Sequence, residues 1–198
     1  MLYDISQPVI GCEVYPGDPA PEITLLNSIQ KGDAYNLSAF SMCAHNGTHV
    51  DAPLHFLKDG KGVDQLDLRK MVGPAFVIEH SGEITAGDAE RMVQKAKDLQ
   101  EEAFKRILVK GDAVVSLGAA MAFVRAGVEL IGSESQSVGP VESPGAVHRE
   151  LLSAEVILLE GIRLTLVPEG VYRLLCVPLN LGHADGAPCR AVLTEINE

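Results

Sequence analysis

The sequence predicts an α/β fold: one domain over residues 1–198, with a mixed sheet and flanking helices. Three observations predict it. The early part of the chain is rich in Gly, Pro, Asp and Asn and poor in helical periodicity, whereas the later half alternates helical and strand patterns. The 198 residues, 46% hydrophobic and 22% charged, suffice for one sizeable core and would be cramped as two. No internal repeat, low-complexity run or linker interrupts them.

Tyr15-Pro16-Gly17-Asp18-Pro19 predicts a rigid turn, since Pro fixes φ and Gly opens conformations closed to other residues. Strands are expected at 23–27 and 35–42, where β-branched or aromatic residues sit between polar ones, and at the apolar run 73–79. The clearest helix is expected over 86–105. Ala89, Met92, Val93, Ala96, Leu99 and Ala103 form its apolar face, and Thr85 with Asp88 resembles a capping box. Short strands follow at 107–109 and 113–115. Ser116 then caps a helix running to Ala126, with Gly127 at its end. A buried strand is expected at 129–131. Ser143-Pro144 opens a short helix through Leu152, because Pro fits the first helical position. Strands at 156–160, 172–179 and 191–196 complete the chain.

Charge excludes several functions. Sixteen Lys and Arg against 27 Asp and Glu give a net charge of −11, which argues against nucleic acid or anionic lipid as the main partner. No apolar run is long enough to span a bilayer, and the start Met1-Leu2-Tyr3-Asp4 lacks a signal-peptide pattern. The four cysteines form no C-x-x-C pair, so reduced thiols and a cytoplasmic location are expected.

The chemistry concentrates in His45-Asn46-Gly47-Thr48-His49-Val50-Asp51-Ala52-Pro53-Leu54-His55. Three of the six histidines fall in these eleven residues, and Asp51 adds a carboxylate, which is ligand chemistry for a divalent metal. Gly47, the β-branched residues and Pro53 make a poor helix, so an irregular or extended loop is expected. Cys43, close by, is expected to be a buried inert thiol. A second pair lies downstream. His148 sits early in the short helix, and Glu160 ends an apolar strand, where a carboxylate is costly unless paired or metal-bound. His80 is expected on the surface, and His183, near the closing motif, is left outside the site.

His45-x-Gly47-Thr48-His49-x-Asp51-x-Pro53-x-His55 resembles the H-x-G-T-H-x-D-x-P-x-H signature of the cyclase family, which includes bacterial kynurenine formamidases and isatin hydrolases. The resemblance runs through nearly the whole chain. Tyr15-Pro16-Gly17-Asp18 is similar to the family's aromatic-Pro-Gly-Asp turn. The segment 131–138 (IGSESQSV) is similar to its IG-x-D-x-x-S-V stretch, and 186–191 (GAPCRA) to its closing G-A-P-x-R-A. The twelve-residue step from His148 to Glu160 also fits.

This resemblance implies a swivelling β/β/α-type architecture, usually in homo-oligomers (dimer or tetramer). It implies two divalent metal ions per chain, Zn²⁺ or Mn²⁺. His45, His49 and Asp51 would hold the first ion, and Asp51, His148 and Glu160 the second. His55 would be the acid/base rather than a ligand, and Tyr15 would contact substrate. The implied activity is hydrolysis of a small amide, of formamide or lactam type. Three departures from the formamidase pattern concern the substrate pocket: Tyr15 stands where formamidases carry Trp, Glu134 replaces a frequent Asp, and 109–116 lacks a T-G-W-like stretch. They imply weak hydrolysis of N-formylkynurenine. The alternative reading is a non-catalytic metal-binding or oligomeric interaction module.

Overall fold

Alternation along the strand Val72–Glu79 divides the interior in two. Phe76 and Ile78 join one core cluster and Ala75 and Val77 another, as the period of two requires of a strand covered on both faces. The computed structural model describes residues 1–196. Its strands are β1 (Leu2–Asp4), β2 (Glu22–Asn27), β3 (Leu37–Ser41), β4 (His49–Asp51), β5 (Val72–Glu79), β6 (Gly82–Ile84), β7 (Arg106–Lys110), β8 (Ala113–Val115), β9 (Leu130–Ser133), β10 (Ile157–Glu160), β11 (Gly170–Leu175), β12 (Gly186–Pro188) and β13 (Val192–Glu195). The helices are α1 (Ala86–Leu99), α2 (Leu117–Ala126) and α3 (Gly145–Ser153).

Nine strands form one mixed sheet in the order β1-β13-β11-β5-β7-β9-β10-β4-β12. Its centre, β5-β7-β9-β10, is parallel, and its wings are antiparallel. Helices α1, α2 and α3 supply Met92, Phe123 and Leu151 to the cluster that also holds Phe76, Ile107 and Leu158. The opposite cluster holds Val77, Leu108, Ile157 and Leu174. The expected α/β class with a mixed sheet and flanking helices is what the chain adopts.

Local chemistry explains most boundaries. Thr85 caps α1 with a complete capping box to Asp88, Ser116 caps α2 through the Ala119 N–H, and Gly127 ends α2 in the left-handed conformation at φ 80°. The helix expected to reach Lys105 stops at Leu99, because Gln100 turns to extended backbone. Ala103 is buried in the same core but rides on a separate 3-10 turn, Ala103–Lys105, which prolongs the apolar spacing past the helix end. The strand expected to reach Leu179 ends at Leu175, before Pro178. β2 and β3 pair only with each other. No helix among the described residues is long and apolar enough to cross a membrane.

Candidate metal centre

The register of β4 builds the floor of the centre. His49 and Asp51 lie two residues apart on one strand, so their side chains leave the same face. β10 runs antiparallel beside it with Glu160 opposite His49, which adds a second carboxylate to that face. His49 Nε2 lies 3.4 Å from Asp51 Oδ1 and 3.3 Å from Glu160 Oε2, and all three residues are buried. His148 comes from α3. Its Nε2 is 3.3 Å from Glu160 Oε1 and 3.8 Å from Asp51 Oδ2. The motif expected to be an irregular or extended loop is thus partly a buried strand.

Backbone groups orient these ligand types. His49 Nδ1 donates to the Gly47 carbonyl at 3.0 Å, and His148 Nδ1 donates to the Pro144 carbonyl at 2.9 Å. Each bond fixes a proton on Nδ1 and leaves Nε2 facing the carboxylates. Gly47 reaches its carbonyl position through a left-handed φ of 67°, and a Cβ there would press on Cys12 at 3.2 Å. Thr48 Oγ1 donates to the Gly161 carbonyl at 2.7 Å, and Gln7 Nε2 donates to the same oxygen at 2.8 Å, which ties the end of β10 to the start of β4.

His45 closes one side. Its Nδ1 is 2.8 Å from Asp51 Oδ1 and its Nε2 is 3.0 Å from Asp185 Oδ2. The ring passes so close to β12 that a Cβ on Gly186 would stand 2.6 Å from His45 Cε1, so only glycine fits there. His55 stacks on His45 with ring centroids 4.0 Å apart, and its Nδ1 lies 3.3 Å from the same Asp185 oxygen. Among the described residues, two groups have ligand atoms close enough together to share an ion: His49, Asp51 and Glu160; and His45, Asp51 and His55.

The residues fit divalent metal. His49 Nε2 and Asp51 Oδ2 are buried without a hydrogen-bond partner, and such orphans are costly unless something else satisfies them. Three imidazoles and two carboxylates suit zinc or manganese. Burial alone would depress the His49 imidazole, but Asp51 and Glu160 outweigh it and raise its pKa to about 10. Burial opposes the Asp51 charge, yet the hydrogen bond from His45 and the nearby His49 ring hold its carboxyl below the usual range. His148 is raised by Glu160 against its own burial. His55 goes the other way: burial lowers it, so it stays neutral near pH 7.

This centre floors a cavity of about 470 Å³. Tyr15, Phe56, Gln136 and Pro144 form much of the wall. Tyr15 is held there by its hydroxyl, which donates to the Val141 carbonyl at 2.7 Å. Cys43 also lines the cavity, and burial pushes its thiol up, so it stays protonated.

A family model, Cyclase (Putative cyclase), matches residues 3–140. The chain belongs to the cyclase family. Among its relatives, a kynurenine formamidase of Salinibacter ruber is 35% identical over 212 residues, covering 98% of this chain and 97% of that protein. A kynurenine formamidase of Erythrobacter litoralis is 32% identical over 203 residues, covering 98% and 94%. A solved structure described as a potential metal-dependent hydrolase with cyclase activity superposes with a TM-score of 0.82 at 29% identity, over 100% of this chain and 99% of that one. Isatin hydrolase A from Labrenzia aggregata shares the fold, with a TM-score of 0.82 at 18% identity over 100% of this chain and 94% of that one.

All seven residues singled out from this cyclase-family sequence line the cavity or its floor: Tyr15, His45, His49, Asp51, His55, His148 and Glu160. Asp185 was missed. A signal existed, since Asp185 directly precedes the 186–191 motif. His183 in that stretch, left outside the site on sequence, is on the surface.

Proposed function

We propose that this site hydrolyses a small amide of formamide or lactam type, with two divalent ions, Zn²⁺ or Mn²⁺, held by His45, His49, Asp51, His148 and Glu160. One observation carries the reading: five side chains of metal-ligand type converge, two of their buried atoms lack partners, and His55 stands beside them at the same cavity. When bound, such ions acidify water and polarise an amide carbonyl. The protein's own residues do the rest. His55 takes the proton from the attacking water and returns it to the leaving amine nitrogen. The cavity wall orients the amide, with Tyr15 and Phe56 offering ring faces to an apolar substrate group. A structural metal site would be closed, usually with four ligands, and would leave no spare histidine at an open cavity. That distinction favours catalysis over a passive metal-binding module.

Purified protein is expected to carry up to two divalent ions per chain, and chelation is expected to abolish hydrolysis. Elemental analysis beside a hydrolysis assay checks both. Full turnover after complete metal removal would refute the metal mechanism.

The relatives named kynurenine formamidases make N-formylkynurenine the first substrate to assay. With Tyr15 at the cavity and no Trp anywhere in the chain, its specificity constant is expected to fall below the usual enzyme range of about 10⁴–10⁸ M⁻¹s⁻¹. Other small amides or lactams are expected to be faster. A value within that range for N-formylkynurenine would assign this chain the same substrate as those relatives.

The four free cysteines suit a reducing compartment, and the reading takes the protein as cytoplasmic. It also takes the chain as a dimer or tetramer. In support, the β2–β3 hairpin exposes Ile23, Leu25, Leu26 and Phe40, and an isolated two-stranded hairpin is marginal in water without cover. Light scattering on the full chain tests this.

A further inference from the structure

We propose that Asp185 is a positioning residue that sets the tautomer and ring orientation of both His45 and His55. The inference rests on the metal-hydrolase reading and deepens it. One oxygen, Asp185 Oδ2, lies 3.0 Å from His45 Nε2 and 3.3 Å from His55 Nδ1. An ionised carboxylate only accepts hydrogen bonds, so both nitrogens must carry protons.

The consequence differs between the two rings. With a proton held on His45 Nε2 by Asp185, Nδ1, which donates to Asp51 at 2.8 Å, is the nitrogen that would give up its proton to bind an ion. A proton fixed on His55 Nδ1 leaves Nε2 as its basic nitrogen. One carboxylate thereby selects opposite tautomers in two stacked imidazoles, the proposed ligand and the proposed base. The rings are nearly parallel, with an interplanar angle of 29°, so each also limits how far the other can turn.

The backbone around Asp185 is built to hold such a group. The Ala52 N–H donates to the Asp185 carbonyl at 2.9 Å, which ties it to the residue following β4. The Val63 N–H donates to the Ala184 carbonyl at 2.9 Å, and the His183 N–H donates to Asp64 Oδ1 at 3.0 Å. Three successive residues are thus pinned on the loop that leads into β12. A solvated surface aspartate needs no such anchoring. Asp185 is still about half exposed on its side chain (46%), which places it at the cavity wall rather than in the core.

Asp185→Asn is nearly isosteric, and its amide can present N–H where a carboxylate oxygen was. The wrong tautomers then become equally available. Zinc or manganese titrated into chelator-treated protein should bind the variant about 10–100-fold more weakly, while saturating metal restores the wild-type stoichiometry. The kcat of the loaded variant should fall by about 10²-fold with KM within about threefold, because the loss lies in proton transfer and not in substrate binding. Nitrogen-15 spectra of the metal-free proteins should show a single His55 tautomer in wild type and a mixture in Asp185→Asn. Asp185→Glu, which retains the charge, should recover part of kcat.

Several results would overturn the inference. A stoichiometry that falls at saturating metal makes Asp185 a ligand. A raised KM with kcat unchanged makes it a substrate contact. Unchanged affinity, kcat and spectra make it a spectator. Wild-type protein that binds no divalent ion removes the underlying reading as well, and the titration reveals that before any variant is compared.

Discussion

Asp51→Ala is expected to empty the centre and abolish hydrolysis together. Asp51 reaches three of the other proposed ligands: His45 at 2.8 Å, His49 at 3.4 Å and His148 at 3.8 Å. It is fully buried, so no water can replace it without a cavity. Its removal takes one of two carboxylates from a centre proposed to hold two dications, and the charge deficit weakens both sites at once. Hydrolysis should fall by at least about 10³-fold, equivalent to about 4 kcal/mol of transition-state stabilisation. Asp51→Asn separates charge from volume. It keeps the shape of the side chain, and it should still lose metal. Elemental analysis and rates measured on the same samples check this. Asp51→Asn protein that retains both ions at wild-type occupancy would show that Asp51 ligates neither.

Much of the site was legible because its chemistry is rare outside metal centres. A cluster of histidines beside an aspartate, and a glutamate ending the apolar strand β10, are combinations that packing and solubility alone do not call for. What could not be read was how the two stretches meet. That depends on β4 pairing with β10 in the register that faces His49 with Glu160. β4 has only three residues, His49, Val50 and Asp51, too few for alternation to mark a strand. Its burial follows from the site and not from hydrophobic pattern. Asp185 escaped for a related reason: an aspartate before a glycine in a loop reads as turn chemistry. Only the fold brings it 3.0 Å from His45. Helix ends were readable where a cap marked them, at Thr85, Ser116 and Gly127. The end of α1 has no such mark, and Ala103, buried beyond the true end, prolonged the apolar spacing.

His55→Ala is expected to leave the ions in place and slow turnover by about 10²–10⁴-fold, the usual share of a general acid/base. The competing assignment is concrete, because His55 lies within ligand reach of an ion shared with His45 and Asp51. Two observations favour the base. His55 is carried by the 3-10 turn Pro53–His55 at the edge of the cavity, and it is more exposed than the buried His49 and His148. Burial also lowers its pKa, so the ring is neutral and able to accept a proton near pH 7. The defect should be greatest for amides with poor leaving groups, which most need the returned proton. Alanine also removes the ring stacked on His45, so His55→Gln serves as a second variant. Glutamine fills the space and can donate to Asp185 but cannot shuttle a proton, and it should be nearly as slow with metal fully bound. Metal measured on both variants beside the rate decides the matter. If His55→Gln loses an ion as Asp51→Asn does, His55 is a ligand and the proton must travel by another group.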